Sequence, residues 1–267
     1  MLAEAASAQG LPLHIVGIRG EARDEIERFP HTWVNWGEIG KMFGALDQNQ
    51  CGDLVIIGGV NRPDFSNFRL DLGAIKTLPF ILSLGKGGDD HVLSRVVRFF
   101  EEKGYRVHSA GDVAPELLAG EGIFSRQYPS AENRADIETA IRVVRELGRL
   151  DVGQAAVVAN GYVLAVEAAE GTDAMLARCA ELRAAGRAGR RHLSGVLVKA
   201  PKPGQEERVD QPTIGPETVK KVAEAGLAGI AVAAGRVLMA ERAATIEAAN
   251  AHQIFVVGER FPESDGG

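Results

Sequence analysis

Short apolar runs that recur between stretches of helical periodicity constrain this chain more than any other feature. DLVII (53–57), AAVVA (155–159), VLV (196–198), GIAVA (229–233) and IFVV (254–257) are each too brief for a helix, and none alternates apolar with polar residues. Strands of that kind are covered on both faces, and helices between them supply the covering layers. The helical segments are there. Ile137, Ala140, Ile141, Val144 and Leu147 recur at amphipathic spacing, and Val219, Val222, Ala223 and Gly226 share one face of another segment. The expected class is α/β, a parallel sheet with helices on both faces. Ligands of such sheets bind beyond the carboxyl ends of the strands.

With 267 residues the chain has room for two ordinary domains. The pattern loses regularity over 120–130, which places the boundary between an N-terminal domain (1–122) and a C-terminal domain (123–267). MLAEAASAQG reads as a helix and PLHIVGI as a strand after it. A Rossmann-like domain normally begins with a strand and a Gly-rich turn. Neither precedes this helix, so the fold either opens on a helix or has lost that first strand and turn upstream of Met1.

Charge and apolar run length exclude several function classes. A net charge of −6 argues against general nucleic-acid binding. Cys51 and Cys179 form no CxxC motif and read as free thiols of a reducing cytoplasm. No charged segment followed by an apolar one opens the chain, so a secretory signal is not expected. The longest apolar stretch (225–234) is far short of the roughly 20 residues that span a bilayer.

Polar loops follow several of the apolar runs. GGVNRPDF (58–65) reads either as a turn or as a loop in which Asn61 and Arg62 reach an anion or a sugar hydroxyl. In LGKGGDDHVL (84–93) one of Asp89 and Asp90 can cap the next helix, which leaves the second aspartate and Lys86 unexplained; the spacing is not that of a Walker A loop. Asn160-Gly161 between two apolar runs signals a type I′ hairpin. Gly171-Thr172-Asp173 either caps a helix or offers its N–H groups to a phosphate. Arg183, Arg187, Arg190, Arg191 and His192 gather near a helix end, read as a solvated terminus or as a contact for anionic headgroups. A second hairpin is expected over 229–239, around Ala234-Gly235-Arg236.

The richest loop is KAPKPGQEERVDQPTIG (199–215), between VLV and a helix begun by Pro216. It holds Lys199, Lys202 and Arg208, the carboxylates Glu206, Glu207 and Asp210, and three prolines that stiffen it. Cations suit a phosphate, and a carboxylate among them suits a divalent metal or a general base. A solvated connector would show much of the same composition.

LGRLDVGQAAVV, GYVLAVEAAEGTDAML and VLVKAPKPGQEERVDQPTIG, together with the GGVNRPDF and GKGGDDHVLSR loops, resemble the LpxI family of UDP-2,3-diacylglucosamine pyrophosphatases along essentially the whole chain. Three departures stand out: the absent N-terminal Gly-rich turn, the extra glycine in Gly87-Gly88, and Gln211 where leucine is commoner. The resemblance implies two α/β domains, the first Rossmann-like, and hydrolysis of UDP-2,3-diacylglucosamine to UMP and lipid X in lipid A synthesis. It implies a divalent cation, Mg²⁺ or Mn²⁺, and a cytoplasmic protein in transient contact with the inner-membrane surface, with a homodimer left open.

Asp210 then corresponds to the carboxylate on which family activity depends, as metal ligand or as base, with Asp89 and Asp90 as further metal candidates. The candidate substrate contacts are Asn61, Arg62, Lys86, Gly171, Thr172, Asp173, Lys199, Lys202, Gln205, Arg208 and Thr213. The alternative is a protein that binds lipid X or a nucleotide-sugar without hydrolysing it. An NAD-dependent oxidoreductase is set aside because no GxGxxG follows a strand.

Overall fold

The structure is a computed structural model that describes residues 1–58, 89–187 and 194–261, with the side chains of 89–91 outside that description. The chain divides into two compact units, Met1–Ala114 with Arg208–Asp210, and Pro115–Glu207 with Gln211–Gly267.

The first unit contains α1 (Leu2–Ala8), β1 (Ile15–Ile18), a 3-10 turn (Asp24–Arg28), β2 (His31–Val34), α2 (Ile39–Gln48), β3 (Asp53–Val55), α3 (Asp89–Glu102), β4 (Arg106–His108) and α4 (Ala110–Val113). β1 pairs with β2 and β3 with β4, both in parallel. An aromatic cluster joins the helices: the Phe43 ring of α2 lies 5.8 Å from Phe99 and 5.9 Å from Phe100 of α3, and stacks on Tyr105 at 5.9 Å. Across the β3–β4 ladder the Asp53 carboxylate accepts from Arg106 Nε and His108 Nε2, each at 2.8 Å. Those two bonds, Arg106 first, hold the Asp53 carboxyl down at about 2.

The second unit carries a 3-10 turn (Pro115–Leu117), β5 (Gly122–Ile123), α5 (Ala131–Arg149), β6 (Ala155–Ala159), β7 (Tyr162–Val166), α6 (Gly171–Ala184), β8 (Val196–Lys199), β9 (Thr213–Ile214), α7 (Pro216–Glu224), β10 (Gly229–Ala233), β11 (Leu238–Met239), α8 (Arg242–Ala251) and β12 (Phe255–Glu259). Its six-stranded sheet has the order β5-β12-β10-β8-β6-β7. Every residue of β6, β8 and β10 is buried, as unalternating apolar runs require. α5 packs on β6 and β8, while α7 and α8 pack on each other and on β10 and β12.

The sheet is mixed. β8, β10 and β12 run parallel, whereas β6 is antiparallel to both β7 and β8, and β5 to β12. The β6–β7 reversal comes from Asn160-Gly161, where both residues adopt positive φ (54° and 77°), the backbone of a type I′ turn. The buried Asp136 of α5 fixes it by accepting the N–H groups of Asn160 at 3.0 Å and Gly161 at 2.7 Å.

Three further expectations need correction. DLVII is not a strand covered on both faces: β3 spans only Asp53–Val55, and Asp53 is exposed. β10 and β11 form no hairpin: β11 pairs in parallel with β9, because β8 and β12 already occupy both edges of β10. Within the basic cluster, Arg183 is not a solvated helix end. Its half-buried guanidinium donates to the carbonyls of Ala225 (2.8 Å) and Ser194 (3.0 Å), which ties α6 to the chain on either side of β8 and α7. Arg187 is exposed, and Arg190, Arg191 and His192 lie outside the described residues. Among the described residues no helix is long and apolar enough to cross a membrane.

Candidate active site

Strand direction decides which side chains meet in the second unit. β7 and β8 are both antiparallel to β6, so their carboxyl ends share one edge of the sheet, the edge at which β10 and β12 also end. Lys199 is the last residue of β8, Glu167 directly follows β7, and Thr172 is the second residue of α6. Lys199 Nζ donates to Thr172 Oγ1 at 2.9 Å, and the Thr172 hydroxyl donates to Glu167 Oε1 at 2.9 Å. Lys199 and Glu167 are only 8% and 7% exposed, so an ammonium and a carboxylate sit buried with one hydroxyl between them. Gly171 opens α6 at φ +77°, and among the described residues the N-cap Glu170 places no side-chain hydrogen bond on the N–H groups of its first turn. A helix N-terminus beside a lysine attracts an anion.

The loop after Lys199 is anchored by its own polar side chains. Gln205 Oε1 accepts the Lys202 N–H at 2.6 Å, and Gln205 Nε2 donates to Gln154 Oε1 at 3.2 Å. The buried Lys202 ammonium pairs with Asp151, a non-glycine residue at φ +56°. Lys202 and Gln205 thus brace the loop against the segment that leads into β6. Thr213 is exposed and donates its hydroxyl to the Gln211 carbonyl at 3.2 Å. Asp173 pairs with Lys221 of α7. By its contacts the stretch Arg208–Asp210 belongs to the first unit, where Arg208 pairs with Glu101 of α3 at 2.8 Å and Asp210 is half-buried.

Of the remaining candidates, Asn61, Arg62 and Lys86 lie outside the described residues, and Asp89 and Asp90 open α3 with side chains outside them. Among the described residues no group of three or more His, Cys, Asp or Glu side chains gathers to hold a metal. Sequence reasoning selected Thr172 and Lys199 and missed Glu167, the carboxylate that completes their chain. The available signal was an acidic residue directly after an apolar strand, five positions before Thr172.

Residues 1–117 match the model of the LpxI N-terminal domain, and residues 120–257 that of the LpxI C-terminal domain. Over 259 residues the chain is 46% identical to the UDP-2,3-diacylglucosamine pyrophosphatase LpxI of Caulobacter vibrioides, which spans 96% of this chain and 92% of that protein. The chain belongs to the LpxI family. The Lys199–Thr172–Glu167 chain, the Gln205 brace and Asp210 all fall within the stretch matched by the LpxI C-terminal domain.

Proposed function

We infer that this protein hydrolyses the pyrophosphate bond of UDP-2,3-diacylglucosamine in lipid A synthesis, releasing UMP and lipid X. One observation carries the reading: near-full-length identity of 46% to a UDP-2,3-diacylglucosamine pyrophosphatase. The geometry supports it, because a pyrophosphate is anionic and the sheet edge presents Lys199 beside the N-terminus of α6.

In the reaction the oxygen of water bonds to one phosphorus, the bridging P–O bond breaks, and the departing phosphate takes the electron pair. Negative charge builds on the phosphoryl oxygens and the leaving oxygen, where a cation held in place beforehand lowers the barrier most. Lys199 is such a cation, since its burial and its bond to Thr172 fix the ammonium before substrate arrives. Asp210 serves as the base that takes the water proton or as a ligand of a divalent cation. Mg²⁺ keeps several waters and needs only one or two carboxylates besides substrate phosphates, so Asp210 would hold it, with Asp89 and Asp90 as further candidates. When bound, Mg²⁺ or Mn²⁺ would neutralise charge on the pyrophosphate oxygens. Because the substrate carries two acyl chains, the protein meets it at the cytoplasmic surface of the inner membrane.

The test is UMP release from UDP-2,3-diacylglucosamine by the purified protein, with native mass spectrometry of what stays bound. Release that EDTA stops and Mg²⁺ restores is expected. Bound lipid without any UMP would support a non-catalytic binder instead.

A further inference from the structure

Glu167 has more interactions than a strand terminus needs. Its backbone N–H donates to the Ala155 carbonyl at 2.9 Å, continuing the ladder one residue past β7. Gly153 presses against it, and a Cβ at position 153 would stand 2.1 Å from the Glu167 carbonyl oxygen. The backbone is therefore held from two sides, and the side chain is held inside. One carboxylate oxygen accepts from Thr172, while the other, Oε2, is buried with no hydrogen-bonding partner among the described residues. Burying a carboxylate with an unsatisfied oxygen is costly, and proteins keep such groups where they have work to do. Packing does not ask for a charge here, since the strand residues nearby in sequence are apolar.

The direction of the hydrogen bonds says what that work is. A threonine hydroxyl has one proton. Because Glu167 can only accept when ionised, it claims that proton and turns the Thr172 lone pairs toward Lys199. Without the carboxylate the hydroxyl is free to rotate, and the ammonium loses both a fixed acceptor and a nearby counter-charge. We propose that Glu167 is a positioning residue of the site: through the Thr172 hydroxyl it holds the Lys199 ammonium where the pyrophosphate charge develops. The proposal rests on the hydrolase reading above.

The experiment uses the full chain with Glu167→Ala, Glu167→Gln, Thr172→Val and the Glu167→Ala/Thr172→Val double variant. Two readouts are taken: kcat and KM for UMP release, and solvent exchange of the Lys199 ammonium in ¹⁵N-lysine spectra, assigned with Lys199→Arg. Groups that act in series are not additive. Glu167→Ala and Thr172→Val should each lower kcat by about tenfold or more with a smaller change in KM, and the double variant should lie within about twofold of the worse single one. Glu167→Gln, which keeps an acceptor for Thr172, should retain more activity than Glu167→Ala. Lys199 exchange should quicken in both single variants and no further in the double.

Near-wild-type kcat in Glu167→Ala, multiplying losses in the double variant, or unchanged Lys199 exchange would each overturn the proposal. If Glu167→Ala does not fold, Thr172→Val and Glu167→Gln decide by the same two readouts. If the wild-type chain releases no UMP, the hydrolase reading fails on its own, and Lys199 exchange alone decides whether Glu167 holds the lysine.

Discussion

Lys199 and Asp210 can be separated by what each does when removed. Lys199→Ala deletes a preorganised cation and should cut kcat by about 10²–10³-fold. Asp210→Ala should abolish turnover while lipid binding persists, and near-wild-type UMP release by that variant would remove Asp210 from the mechanism. Cys179 gives a pH signature unrelated to the site. Burial among apolar residues raises its thiol from 9.0 to about 11. Over that window the unfolded chain ionises and the folded one does not, so Cys179 stabilises the fold fully below about pH 9 and its contribution falls as pH rises toward 11. Denaturant midpoints of wild type and Cys179→Ala should therefore converge across that range, and a thiol reagent at pH 8 should label Cys51 well before Cys179.

Elements with a local cause were legible in the sequence. Asn160-Gly161 specifies its own turn, and Pro216 after Gly215 begins α7 at the expected residue. What sequence could not reveal depends on neighbours far along the chain. β11 leaves the main sheet because β8 and β12 flank β10, and Arg183 is bound by carbonyls of Ala225 and Ser194. Glu167 was missed for the same reason, since its value comes from the parallel run of β7 and β8, which brings it to Lys199 through Thr172. The approach of the 151–154 segment to the end of β7 is testable. Gly153→Ala would drive a methyl into the Glu167 carbonyl and should cost about 1–3 kcal/mol in denaturant unfolding. Unchanged stability would mean the two segments are less closely packed.

For the molecule as a whole, periodicity gave the α/β class and long motifs gave the family, but neither gave the mixed sheet order or the grouping of Arg208–Asp210 with the first unit. That grouping arises from contacts over a hundred positions apart, such as Arg208 with Glu101, which no local pattern records. Hydrolysis is tested most directly by turnover of UDP-2,3-diacylglucosamine in H₂¹⁸O with mass analysis of both products. UMP and lipid X are expected in equal amounts, with a single ¹⁸O in the phosphate of one of them. Both products without label, or bound substrate recovered intact, would contradict it.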